Sequence, residues 1–219
     1  MGVDQWGGAG TAGFCLGKGP LMFRLGVTGS IATGKSTVLE ALADFGARVS
    51  SADAIVHELY AGPAVAAVEG LFPGVAVEGA IDRGRLSAAL AAEPGRLAEL
   101  EALVHPMVRE RIARFMDAAE ADGAALAAVE VPLLFESGYD YGFDAVAVTV
   151  CDEAEQRRRA LARPAMTVER LQSILARQMP QAEKKERADY VIDTTGPIED
   201  TRRAVRAVVA RIQARQASQ

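Results

Sequence analysis

The chain has 219 residues, half of them hydrophobic, with 24 basic and 29 acidic residues and a net charge of -5. That length suits one compact α/β unit carrying an insertion, and the acidic balance argues against generic nucleic-acid binding through bulk charge. Cys15 and Cys151 cannot build a disulfide framework, His57 and His105 are too far apart for a zinc motif, and no apolar run approaches the roughly 18 residues of a bilayer span.

The opening stretch, Met1 to Pro20, is glycine-rich and lacks a basic segment followed by an apolar one, so residues 1–21 read as a flexible N-terminal extension with no leader. Phe23 to Val27 is a short apolar strand pattern that enters a glycine-bearing loop and then the helical stretch Ser36 to Phe45. Gly46 stops that helix and Ala47 to Ser50 resumes as a second strand, a βαβ unit whose strands run parallel. From Ala54 to Ala121 the pattern is helical, broken by turn signals, and offers no strand; it reads as a helical insertion. Within it Leu97, Leu100, Val104, Val108, Ile112 and Phe115 form a core-facing stripe, and Pro106 predicts a break with a new helix starting there.

Ala124 to Leu134 and Ala145 to Cys151 are the third and fourth strands, apolar enough to be buried on both faces, and Tyr190 to Ile192 is a short fifth. Between Arg157 and Arg187 stand nine basic residues against three acidic ones, a local +6 in an acidic chain. Asp152 and Glu155 form a capping-box pattern at the head of this segment and Thr167 caps a second helix, so the charges sit on two or three short helices. Ile198 to Ala217 closes the chain as an amphipathic helix. Cys151 reads as a small buried hydrophobe.

Gly29-Ser30-Ile31-Ala32-Thr33-Gly34-Lys35-Ser36 matches G-x-x-x-x-G-K-[ST] between a strand and a helix. In such a loop the glycines let successive N–H groups face phosphate oxygens, Lys35 reaches the β and γ phosphates, and the Ser36 hydroxyl ligates Mg²⁺. The motif alone admits a GTPase switch, an ATPase or a small-molecule kinase. The chain contains no asparagine, which removes the guanine-reading motif of the GTPases, and it is short for a motor ATPase. A basic segment that closes over the nucleotide suits phosphoryl transfer, which is mostly positioning and charge neutralisation. Asp53 follows the second strand, at the sheet edge where ligands collect; it would take the proton of an attacking hydroxyl, hold a metal-bound water, or merely cap the next helix. His57 lies one turn on and reads as a contact or core histidine. Glu130 would bind a Mg²⁺-bound water or pair with a core arginine. Arg83 would meet an acceptor's phosphates or remain a solvated turn charge.

Gly26-Val27-Thr28-Gly29 running into Gly34-Lys35-Ser36-Thr37-Val38, then Ala52-Asp53, His105-Pro106, Val131-Pro132-Leu133-Leu134-Phe135-Glu136 and Ala188-Asp189-Tyr190-Val191-Ile192-Asp193 together resemble the dephospho-coenzyme A kinase family. The resemblance runs in order from about Phe23 to Gly196 and implies transfer of the ATP γ-phosphate to the ribose 3′-hydroxyl of dephospho-coenzyme A. The fold it implies is α/β, a P-loop kinase core with a parallel five-stranded sheet, a helical substrate-binding insertion and a basic helical lid. Residues 22–53, 122–153 and 188–219 would form the core, 54–121 the acceptor-binding insertion, and 154–187 the lid.

By the same resemblance Asp53 is the base and Ala32, Thr33, Gly34, Lys35, Ser36 and Thr37 bind ATP, with Lys35 assisting the transfer; Arg159 and Arg163, four residues apart and so expected on one helix face, would bind the triphosphate, with Arg163 closing over the transferring group. The acceptor would be held by Asp53, His57, Arg83, His105 and Leu134, and Mg²⁺ by Ser36 with Glu130 through water. Glu136 stands in the family segment, with helix capping as its competing reading. ATP and dephospho-coenzyme A are the expected partners of a cytoplasmic monomer or small homo-oligomer, with no nucleic-acid or membrane partner. A different P-loop kinase of nucleosides or nucleotides, or a nucleotide-gated RNA-binding regulator, are the alternatives. The chain departs from the family where Ser51 replaces the first acid of an Asp-x-Asp pair, where Pro164 replaces aspartate, and where Ser30, Ala32 and Thr33 stand in a loop usually richer in glycine.

Overall fold

The structure, a computed structural model, describes residues 22–218; the reading of residues 1–21 as an extension lies outside them. Strands β1 (Phe23–Gly29), β2 (Arg48–Ser51), β5 (Leu126–Glu130), β6 (Ala145–Val150) and β7 (Tyr190–Asp193) form one parallel sheet in the order β2-β5-β1-β6-β7. The five expected strands are all present. β1 is central, with Phe23 beside Leu126 and Leu25 beside Ala145. Its alternation sorts side chains between the faces. Phe23, Leu25 and Val27 pack with Val38 and Leu42 of α1 (Lys35–Asp44) and Val205, Val208 and Ile212 of α9 (Ile198–Ala217).

The opposite face of the sheet meets a second core formed with the insertion, which comprises α2 (Ala52–Tyr60), α3 (Val65–Leu71), β3 (Ala76–Val77), β4 (Ala80–Ile81), α4 (Arg83–Ala92) and α5 (Leu97–Ala121). Two expectations fail here. α5 runs unbroken through Pro106, with Leu100, Val104, Val108, Ile112, Met116 and Ala119 buried along it. An internal proline costs about 3 kcal/mol, whereas each large apolar side chain gains about 1.5 to 3 kcal/mol on burial, so the continuous stripe prevails. His105 and Pro106 sit on the exposed side, where a missing backbone bond is tolerated by solvent. The insertion also contains a hairpin: β3 and β4 are joined by Glu78 and Gly79, both left-handed at φ 50° and 82°, the geometry of a two-residue hairpin turn. Strands of two residues are too short to show alternation in a sequence.

The basic segment folds as α6 (Glu153–Leu161), α7 (Val168–Leu175) and α8 (Gln181–Glu186). Thr167 caps α7 as expected, accepting from Arg170 N at 3.2 Å. The capping box at α6 does not form: Asp152 makes no side-chain cap, and Glu155 instead holds Arg158 and Arg159 at 2.6 Å. Two guanidiniums outcompete a single backbone N–H for one carboxylate.

Candidate active site

β1 delivers the glycine loop to the carboxyl edge of the sheet, between its neighbours β5 and β6. Gly34 is left-handed at φ 79°, and a Cβ there would press on the Thr194 side chain at 3.0 Å, so the second glycine of the octet is a requirement of both backbone and space. A Cβ on Gly29 would collide with Thr149 Oγ1. The loop is braced from beneath: Thr33 Oγ1 donates to Ser30 O at 2.8 Å and hydrogen-bonds Thr149 Oγ1 at 2.7 Å, while Thr194 Oγ1 donates to Thr33 O at 3.0 Å. Thr33 is fully buried, so its side chain builds the loop and does not face the cleft. α1 starts at Lys35 with no side-chain cap, leaving its first N–H groups and the positive end of its dipole at the loop.

The loop opens into a cleft of about 680 Å³ lined by Ala32, Gly34, Lys35, Ser36 and Thr37 on one side. Asp53, Glu130, Arg159 and Arg163 line it from four other places in the chain. Lys35 Nζ donates to Ser30 O at 3.1 Å and lies 3.9 Å from Glu130 Oε1. Burial lowers the Lys35 pKa, opposed by the charge of Glu130 and reinforced by Lys184 and Arg163. Burial raises that of Glu130, with Lys35 opposing and Asp53 adding to the rise. Glu130 therefore pairs with the loop lysine and not with a core arginine.

Asp53 is exposed in the first turn of α2, and the cap of that helix is Ser51, whose Oγ accepts from Ala54 N at 3.1 Å. The capping reading of Asp53 is thus displaced: the serine at the departing position does that work and leaves the aspartate free to face the cleft. The two arginines also differ. Arg159 is engaged, giving Nε to Glu155 at 2.6 Å and Nη2 to Thr194 O at 2.7 Å. Arg163 lies past the end of α6, so the pair does not share one helix face; the turn after the helix brings the exposed Arg163 back to the same cleft.

The structure does not bring the remaining candidates to this cleft. His57 is exposed one turn beyond Asp53 on α2, and His105 is exposed on α5. Arg83 opens α4, where its charge acts on the Tyr60 hydroxyl against a rise caused by burial. Leu134 is buried in the insertion core beside a separate aromatic pocket.

Sequence reasoning missed Lys184, whose side chain is wholly buried in α8 with its Nζ 2.8 Å from Glu136 Oε1. The same oxygen accepts from Met179 N at 2.8 Å, so Glu136 is an ion-pair partner and not a helix cap. Gln156 and Gln178, which contact the loop at Ile31, were also missed. Amid so many basic residues, no spacing distinguishes Lys184 from Lys185; a polar residue at the buried positions of α6 is the one trace Gln156 leaves. Cys151 is buried, which pushes its thiol up, as expected of a small hydrophobe. Among the described residues no helix is long and apolar enough to cross a membrane.

Residues 23–200 match the dephospho-CoA kinase family. A dephospho-CoA kinase of Rhizobium meliloti is 47% identical over 188 residues, covering 86% of this chain and 97% of that protein. A solved structure from Thermus thermophilus superposes with a TM-score of 0.73 at 34% identity, covering 87% of this chain and 98% of that one. The dephospho-CoA kinase of Campylobacter jejuni gives a TM-score of 0.62 at 27% identity over 86% of this chain and 96% of that one. With the loop, the carboxylates and the parallel sheet in the order described, this chain belongs to the dephospho-CoA kinase family.

Proposed function

We propose that this chain transfers the γ-phosphoryl group of ATP to the ribose 3′-hydroxyl of dephospho-coenzyme A, yielding coenzyme A and ADP, in a reducing cytoplasm that its sparse cysteines favour. The observation that carries this reading is the meeting of Lys35, Asp53, Glu130 and Arg163 around one cleft in a chain matched to this family over residues 23–200. Lys35 and the N–H groups at the start of α1 hold the β and γ phosphates. Asp53 accepts the hydroxyl proton as the hydroxyl oxygen forms its bond to the γ-phosphorus and the bond to the β-phosphate oxygen breaks. Arg163 meets the charge that builds on the transferring group, where a cation stabilises the transition state more than the ground state. Residues 154–187 act as a lid, with Arg159 its anchor to Thr194, and residues 54–121 receive the acceptor.

The donor set fits Mg²⁺: the Ser36 hydroxyl would ligate it, with Glu130 and Asp53 acting through water. Mg²⁺ in such sites is held through one or two protein oxygens together with substrate phosphates and water. When bound it neutralises phosphate charge. The test offers the protein ATP and Mg²⁺ with dephospho-coenzyme A, adenosine, uridine, GMP and shikimate in parallel, followed by mass spectrometry. Product with the first acceptor alone is expected. No 3′-phosphorylated product, or equal turnover of another acceptor, refutes the assignment.

A further inference from the structure

Ile31 sits in the middle of the phosphate loop, and both polar atoms of its backbone are taken by glutamine side chains from the lid. Its N–H donates to Gln178 Oε1 at 2.9 Å, and its carbonyl accepts from Gln156 Nε2 at 2.8 Å. Behind Gln156, Gln181 Nε2 donates to Gln156 Oε1 at 2.9 Å, and Gln181 Oε1 accepts from Cys151 N at 3.0 Å. The amide orientations follow from the ends of this chain. Cys151 offers only an N–H, so Gln181 must present oxygen to it and nitrogen to Gln156, which in turn must present nitrogen to the Ile31 carbonyl. Gln156 is buried, with both ends of its amide satisfied, so it has one orientation and no solvent alternative.

The next residue is Ala32, left-handed at φ 61° although it is not a glycine. The Ile31 carbonyl and the Ala32 N–H belong to one trans peptide plane and point in opposite directions. Holding the carbonyl on the Gln156 amide therefore turns the Ala32 N–H away from Gln156, which stands outside the nucleotide cleft that Ala32 lines. We infer that Gln156 is a positioning residue for phosphate binding: it fixes the Ile31–Ala32 peptide so that a strained alanine presents its N–H to the nucleotide, and Gln178 secures the same residue from the other side. Because Gln156 lies in α6, Gln178 follows α7 and Gln181 opens α8, the whole lid is registered on this one residue of the loop. This rests on reading the cleft as a nucleotide site, which titration of the wild-type protein tests by itself.

The experiment is a double-mutant cycle on Gln156→Met and Ala32→Gly, read by calorimetric titration with a non-hydrolysable ATP analogue and by thermal melts. Gln156→Met removes both amide bonds at nearly constant volume and is expected to weaken the analogue by about tenfold, or roughly 1.4 kcal/mol. Glycine adopts a left-handed φ without strain, so Ala32→Gly in that background is expected to recover at least threefold of the loss. A residue that merely supports the lid would give a lower melting temperature and no such recovery. Should Gln156→Met fail to fold, Gln181→Met, which frees Gln156 to turn its amide away from the Ile31 carbonyl, carries the comparison with and without Ala32→Gly. Unchanged affinity in the single variant, or losses that simply add in the double, overturns the inference; failure of the wild type to bind the analogue overturns the site assignment instead.

Discussion

Removal of one partner from the buried Lys184–Glu136 pair tests how α8 is fastened to the core. Lys184 has no exposed side-chain surface, Glu136 retains 16%, and their charged atoms are 2.8 Å apart. Glu136 Oε2 is buried without a hydrogen-bond partner among the described residues, so the carboxylate depends on Lys184 and Met179 N, both at its other oxygen. In Lys184→Met the side-chain volume is nearly kept while the anion loses its counter-charge. Breaking such a pair from one side costs about 3 to 5 kcal/mol, because the remaining charge stays desolvated. For a chain of this size each kcal/mol is worth about 2 to 4 °C, so the melting temperature should fall by about 6 to 20 °C. Adding Glu136→Gln removes the orphaned charge and keeps an oxygen for Met179 N, and should restore at least half the loss. Thermal unfolding of the wild type, both single variants and the double closes the cycle. A loss below about 1 kcal/mol in Lys184→Met, or a double variant no more stable than that single, refutes the reasoning, since the pair would then be solvated or redundant.

Lys35→Ala and Asp53→Asn are expected to fail differently: the first weakens both ATP affinity and turnover, whereas the second lowers turnover by about 10² or more and leaves ATP affinity within about threefold, as calorimetry beside single-turnover kinetics would show. Near wild-type turnover in Asp53→Asn removes it as the base. Arg163→Ala should cut turnover by at least about tenfold, roughly 1.4 kcal/mol, with a smaller effect on acceptor binding, while Arg157→Ala, an exposed charge outside the nucleotide cleft, should change little; equal effects would mean diffuse charge. The guanidinium of Arg158 first, and then that of Arg159, hold the Glu155 carboxyl well below its usual 4.5, at about 2. Since the folded value is depressed, its stabilisation is present above the unfolded pKa and fades as pH falls toward 2. The melting-temperature gap between wild type and Glu155→Gln should therefore narrow steadily from about pH 5 to about pH 2.5, and a gap independent of pH would count against the ion pairs.

Those parts of the fold that rest on local periodicity and local chemistry are legible in the sequence alone. The octet from Gly29 to Ser36 carries its own backbone requirements, and the five strands and the closing helix are apolar or amphipathic enough to declare themselves. What escaped was set by distant partners. Pro106 looked like a boundary because a local rule says so, and the buried stripe from Leu100 to Ala119 overrode it. Glu155 three residues after Asp152 looked like a cap until two arginines on its own helix took the carboxylate. Lys184 is the extreme case: its burial depends on Glu136, which lies in another part of the chain. At the site, Lys35, Ser36, Asp53, Glu130 and Arg163 line one cleft, although only the first three sit in motifs, whereas Leu134 and both histidines stand away from it and the glutamines around Ile31 bear no motif.

The position of β1 at the centre of the sheet has a consequence for synthesis on the ribosome. The loop is made early, yet its supports come late: β1 pairs with residues 126–130 and 145–149, Thr33 is braced by Thr149, and its carbonyl is held by Thr194. At about 5 to 20 residues per second, residue 149 follows the first strand by about 6 to 25 s, and residue 194 arrives later still. Meanwhile the helices of the insertion lack Ala127 and Val129, which complete their core, and β1 waits with both edges unpaired and apolar side chains on each face. That interval is the exposed stage of the molecule's life, when an edge-binding chaperone has the most to protect, and nucleotide is not expected to shorten it because the loop that would grip ATP lacks its supports until residue 194 is made.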